Sequence, residues 1–266
     1  MATAVLQPFP MLAGRRAQAW RHQPGFRRPR HFHPEPELNV VAHGSATIGV
    51  GDQVLQLGPG DVVLFHPGQD HVLLDSSAEL ELFVVALRPE LAERACGSLS
   101  HVRSKGARLS DLALRGVVSH CEGLIAVADS HAVEQGLSSV FNEVRALPAS
   151  NHVLSRRALQ AMAAHPEATC SALAHRVGVD PSALSRHFHD DLKLTFVEYR
   201  ARLRVMAFVR LVDEGHTLTS AALTAGFGSY AQCHRVLSRT FGCAPQRYFD
   251  GERRRIDEAR YEHDGA

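Results

Sequence analysis

Residues 171–249 read SALAHRVGVDPSALSRHFHDDLKLTFVEYRARLRVMAFVRLVDEGHTLTSAALTAGFGSYAQCHRVLSRTFGCAPQRYF, and the stretch contains one pattern twice. Ala174 recurs as Ala222 and Gly178 as Gly226, 48 residues on. Arg186 recurs as Arg235, Phe188 as Leu237, Leu192 as Phe241 and Tyr199 as Tyr248, 49 residues on. The one-residue slip falls just after the glycine, where a turn absorbs it. Each copy has a small residue that lets two helices cross closely, then a glycine for a left-handed turn, then an amphipathic helix bearing an arginine. These are the needs of a helix-turn-helix.

In the first copy Asp180 suits an N-cap and Pro181 the first helical position, which predicts a helix from Pro181 to about His189 with Leu184 and Phe188 inward. Ser182, Ser185, Arg186 and His189 then lie outward, available to base edges and phosphates. In the second copy the helix starts near Ser229, with Cys233 and Leu237 inward and Tyr230, Gln232 or His234, and Arg235 outward. Between the copies, Phe196, Tyr199, Leu203, Met206, Val209 and Val212 predict a linker helix over 196–214, closed by Gly215. Nineteen residues at about 1.5 Å each span roughly 28 Å, close to the groove repeat of about 34–36 Å, so one subunit could touch two successive major grooves.

From near His152 to Phe249 the chain resembles the DNA-binding domain of the AraC/XylS family of bacterial transcription regulators, AGFGSYAQCHRVLSRTFGCAPQRY being the most specific part. The resemblance implies two helix-turn-helix units joined by a long helix, and transcriptional activation through contact with RNA polymerase. Lys193 stands where the family commonly has glycine, and Cys233-His234 replaces a common Phe-Ser pair.

Charge agrees with a polyanionic partner for this half. Residues 151–249 carry 12 basic and 7 acidic side chains, whereas 1–150 carry 13 and 15. A length of 266 residues with 45% apolar content allows one or two packed domains and excludes a disordered chain. No apolar run approaches the roughly 18 residues of a membrane span, and the opening residues lack signal-peptide order, so a cytoplasmic protein without a membrane partner is expected. Five cysteines, odd in number and without a C-x-x-C pair, read as reduced packing residues.

The first half has another texture. From Leu38 to about Leu87, short apolar runs alternate with turn signals such as Gly51-Asp52, Pro59-Gly60-Asp61 and Pro67-Gly68, which predicts many short strands in a barrel or sandwich. After Pro89, Leu114, Val117, Cys121, Leu124 and Ile125 form one helical stripe. Leu137, Val140, Phe141, Val144 and Leu147 form another, and Pro148-Ala149-Ser150-Asn151 reads as a linker. Within GFRRPRHFHPEPELNVVAHG, His31, His33, Glu35 and Glu37 share parity, and His71 follows a strand and a Pro67-Gly68 turn. Three imidazoles and a carboxylate suit a divalent first-row transition metal.

Both stretches resemble the two cupin motifs. The first matches at every spacing (Gly25, His31, His33, Glu37, Gly44), and the second has Gly60, Pro67, Gly68 and His71 but Asp75 where asparagine is usual. That resemblance implies His31, His33, Glu37 and His71 as metal positions, as direct contacts to an organic effector, or as structural residues of the barrel mouth. The expectation is an α+β two-domain chain. A cupin-like, effector-sensing β-barrel spans about 10–90, a helical dimerisation and relay segment 91–147, the DNA-binding domain 152–250, and a disordered tail 251–266. It would act as an effector-responsive activator on double-stranded promoter DNA, as a homodimer. A cupin metalloenzyme of dioxygenase or isomerase type with an appended DNA module is the alternative, although no second acid-base pair with a telling spacing accompanies the four ligand-type residues.

Overall fold

The computed structural model describes residues 4–9, 11, 15, 17–22, 28–88, 107–126, 157–159, 161, 162, 165 and 168–252. The stripe at 137–147, the linker at 148–151, the tail beyond 252, Gly25 and Cys96 lie outside the described residues.

Ten strands are present among them: β1 Val5–Leu6, β2 Ala17–Arg21, β3 His31–Phe32, β4 Glu37–His43, β5 Ala46–Val50, β6 Gln53–Leu57, β7 Asp61–Phe65, β8 His71–Ser76, β9 Glu81–Leu87 and β10 Ala107–Arg108. They form two five-stranded sheets, ordered β1-β3-β8-β5-β6 and β10-β7-β4-β9-β2. All pairings are antiparallel except β1 with β3. Strands β1 and β10 fall outside residues 10–90 and extend the two sheets at their edges. Gly51-Asp52 makes the expected two-residue hairpin between Val50 and Gln53, with Gly51 at φ +55°.

The second sheet is covered on both faces, and this explains its near-continuous apolar strands. Val41, Val63, Phe65 and Leu82 point toward the first sheet and pack with Ala46, Ile48, Val50 and Leu57. The alternate residues Leu38, Val40, Val62, Leu64, Phe83 and Val85 pack on the other side against Val117, Cys121 and Leu124 of helix α1, Asp111–Ala126. The helical stripe expected at 114–125 is that helix. Ile125 is the exception to its inward face, being exposed.

The helical half comprises α2 Cys170–Val177, α3 Pro181–Leu192, α4 Phe196–Asp213, α5 Leu218–Thr224, α6 Tyr230–Phe241 and α7 Pro245–Arg247, which runs into a π turn at Tyr248–Glu252. Helix α3 extends three residues past the expected end at His189, because Lys193 supplies a left-handed C-cap at φ +59°. Asp180 caps its start as read from the sequence, accepting from the backbone N–H groups of Ser182 and Ala183. The turn glycines Gly178 and Gly226 take φ +77° and +85°. Helix α4 starts with a capping box in which Thr195 and Glu198 satisfy each other's backbone N–H groups. It ends at Asp213, one residue short of the expected 214.

Each head has its own core, and α4 belongs to both. Leu173, Ala174, Val177, Leu184, Phe188 and Leu192 pack with Phe196 and Tyr199 from the first half of α4. Ala221, Ala222, Phe227, Cys233 and Leu237 pack with Val205, Phe208 and Val209 from its second half. The second core also takes in Ala4, just before β1, Leu6 of β1 and Phe32 of β3, so the β domain rests on the helical domain. Cys121 and Cys233 are buried and unbridged, and burial pushes their thiols up to about 12, as expected for packing residues.

Candidate metal centre and nucleic-acid interface

His31, His33, Glu37 and His71 meet between the two sheets, all four buried, with one potential ligand atom from each lying within 4.8 Å of the others. The register explains the meeting. His31 on β3 pairs directly with His71 on β8 in the first sheet, while Glu37 starts β4 in the second sheet, opposite Phe65. His33 sits in the short connection from β3 to β4.

Backbone carbonyls hold all three imidazoles alike. His31 Nδ1 lies 2.9 Å from the Pro29 carbonyl oxygen, His33 Nδ1 2.7 Å from that of Glu35, and His71 Nδ1 3.2 Å from that of Gln69. A carbonyl only accepts, so a neutral ring bonded this way carries its hydrogen on Nδ1 and its lone pair on Nε2; at His33 and His71, where Nε2 faces the Glu37 carboxylate, that arrangement calls for a cation between them. Glu37 Oε2 lies 2.9 Å from His33 Nε2 and 3.0 Å from His71 Nε2. Its other oxygen accepts from Asn39 Nδ2 at 2.9 Å. His71 Nε2 is close to that carboxylate but makes no hydrogen bond and is fully buried. The ring of His71 stacks on Phe65, centroids 4.1 Å apart and planes 4° from parallel, and Phe9 sets its edge against His33 at 4.7 Å.

Inward lone pairs beside a carboxylate repel one another unless positive charge lies among them. At His31 a proton is a poor source of that charge: burial first, then the neighbouring His71 and His33, hold its imidazole well below the usual range. Burial alone would raise the Glu37 carboxyl, yet positive charge at His71, then the close approach of the His33 and His71 ring nitrogens, holds it well below the usual carboxylate range. The pocket is therefore built for an anion facing cationic charge. A first-row divalent ion fits this donor set, since ligand bonds of about 2.1 Å bring donors to within roughly 4.2 Å of one another, slightly less than the span seen.

Sequence reasoning missed the partners of the four. Asn39, the stacking Phe65 and the three backbone carbonyls become visible only with the strand register. Glu35, which shares their parity, is also buried, and burial raises its carboxyl; one oxygen accepts from the Phe9 backbone N–H at 3.4 Å.

On the helical side, Arg186 and Arg235 are exposed on α3 and α6, as are His189 and Gln232. Other residues of the expected reading face have local work. Ser182 donates to Asp180, Ser229 caps α6 by accepting from the Gln232 backbone N–H, and Gln232 Oε1 accepts from that of Gly228 at 2.8 Å. Tyr230 is half-buried with its ring edge toward His234, and Ser185 is half-buried.

A two-sheet domain with an internal donor cluster, followed by a pair of helix-turn-helix heads on a shared helix, defines a ligand-sensing DNA-binding regulator. The AraC-like ligand binding domain family matches residues 13–163, and a helix-turn-helix domain family matches residues 173–251. The chain belongs to the AraC/XylS family of transcription regulators. In overall structure it is similar to ToxT from Vibrio cholerae O395, with 12% identity, a TM-score of 0.50, and coverage of 87% of this chain and 95% of that one. It also matches the AraC-like transcriptional activator CuxR, with 14% identity and a TM-score of 0.35 over 79% of this chain and 78% of that one. No curated protein matches it in sequence. No helix among the described residues is long and apolar enough to cross a membrane.

Proposed function

We propose that the β domain of this DNA-binding regulator senses through a divalent transition-metal site formed by His31, His33, Glu37 and His71. The observation that carries the reading is the convergence of one buried donor atom from each of the four residues to within 4.8 Å, with the His33 and His71 Nε2 atoms against one Glu37 oxygen and each of the three imidazoles held through Nδ1 by a backbone carbonyl. Four protein donors leave coordination positions open, so the effector is either the metal itself or a small oxygen-donor molecule that completes its shell. Ligand then changes transcription only by binding one arrangement of sensor and heads better than another. Arg186 and Arg235, with Ser182, Ser185 and His189 on α3 and Ser229, Tyr230 and Gln232 on α6, form the interface to two successive major grooves. A cytoplasmic homodimer that activates promoters through RNA polymerase is the working arrangement.

The test is metal content by mass spectrometry of tag-free protein purified without chelator, beside a His31→Ala/His71→Ala variant. Near-stoichiometric metal lost in the variant supports the reading. Equal, low content in both, also after adding divalent ions back, rejects it. The same donors would permit metal-assisted chemistry, but the paired heads place the domain in a regulator, and no substrate turnover is expected from the full chain.

A further inference from the structure

The corner that leads into His71 also grips the helical domain. Asp70 is buried, and its two oxygens receive one arginine each: Arg30 from the β domain at 2.6 Å and Arg202 from α4 at 2.6 Å. The same Arg202 nitrogen donates to the Gly68 carbonyl at 2.9 Å, and its guanidinium lies over the Phe32 ring at 5.0 Å. Gln69 donates to the Leu192 carbonyl, the last residue of α3, at 3.3 Å. Arg30 donates onward to the Gly51 carbonyl at 3.0 Å, tying the β5–β6 turn to the same corner.

That turn sits against the C-terminal end of α3. A Cβ on Gly51 would come 2.5 Å from both the Cβ and the carbonyl oxygen of Lys193, so the approach requires glycine. Asp52 places its carboxylate 4.0 Å from His189 Nε2. A recognition helix in the major groove has phosphate strands along both groove walls. Here one flank of α3 is lined by the backbone of a β-turn and an aspartate, which exclude the strand by volume and by like charge.

We infer that Arg30, Asp70 and Arg202 form a catch that docks the first reading head on the β domain and withholds it from DNA. Release of the catch frees the end of α3 for the groove wall. The inference rests on the DNA-binding assignment and stands whether or not the β domain binds a metal.

The experiment uses the full chain with Asp70→Asn, Arg202→Gln and, as a charge control outside the catch, Glu81→Gln on β9, which pairs with His43 at the end of β4. Binding to a random-sequence duplex is read by fluorescence anisotropy at low salt. Hydrogen exchange is read at residues 68–71 and 191–194, with 37–43 as the folding control. Metal content of the same preparations tests the metal reading separately. Asp70→Asn is expected to tighten binding by about threefold or more over Glu81→Gln and to speed exchange at both contact segments while β4 stays protected. Arg202→Gln removes a positive charge and would weaken DNA binding on electrostatics alone; the catch requires it to bind at least as tightly as the parent chain. An Asp70→Asn protein matching Glu81→Gln in affinity, or an Arg202→Gln protein that binds more weakly, overturns the inference. Should Asp70→Asn expose β4, Arg202→Gln alone decides.

Discussion

Two enclosed histidines, the buried His31 and the half-buried His66, resist taking up a proton. Burial lowers His66 from an ordinary 6.5 to about 4, and His31 is also held well below 6.5. A histidine whose folded value is depressed leaves the unfolded chain with more protons between the two values. Stability therefore rises with pH across that window and is lost as pH falls from about 6.5 toward 4. Glu37, also depressed, adds a loss of the same sign below the usual carboxylate range. The urea midpoint of metal-free protein should fall on acidification from pH 7 to pH 5, with a slope of up to ~1.4 kcal/mol per pH unit for each such histidine. His66→Gln should flatten the dependence; an unchanged slope would show that His66 titrates normally. Lys193 shows a different strain, as the one non-glycine residue with positive φ among those described. Lys193→Gly relieves a left-handed lysine and should stabilise the chain by about 1 kcal/mol in chemical denaturation.

At the scale of elements, the two heads are similar in plan and unequal in detail. Helix α3 starts with an aspartate cap and proline, whereas α6 starts with a serine cap alone. Asp180→Ala should cost about 1 kcal/mol of stability and loosen α3 more than α6, as read by local hydrogen exchange. Arg186→Ala and Arg235→Ala should each weaken binding to the cognate duplex by ~1–3 kcal/mol if the guanidinium reads a base edge. Equal loss on random duplex would assign them to phosphate. Cys233 and His234, which depart from the family's common pair, divide the work of the second head: Cys233 fills its core, and His234 is exposed beside Tyr230. The linker helix was legible because its apolar residues recur at helical spacing. That its two halves serve two cores follows from the same spacing, since the apolar stripe drifts round the helix over 18 residues.

Across the whole molecule, a metal held at the proposed site would couple its binding to folding, because His31 and His71 come from one sheet and Glu37 from the other and meet only in the folded state. Adding a divalent ion should raise the thermal midpoint of the parent chain in a concentration-dependent manner, and should leave His31→Ala/His71→Ala unmoved. A rise of equal size in both would assign the effect to surface binding.

Sequence alone was enough for the paired heads and the hairpin at Gly51-Asp52, because each is written in local spacing, and it singled out His31, His33, Glu37 and His71 as candidates. A helix period, a glycine needing a left-handed turn and alternation along a strand act within a few residues of chain. Asn39, Phe65, Asp70, Arg30 and Arg202 carry no such local sign. Asn39 is one alternating residue of an apolar strand, and Asp70 precedes His71 in what reads as a polar turn. Their roles come from pairings across 40 and 132 residues, as Asp70 to Arg30 and to Arg202 show. Only packing of the two sheets against each other, and of the β domain against α4, brings such charges within hydrogen-bonding distance. Low dielectric there makes an unpaired partner costly, and so the tertiary structure decided which charges face one another.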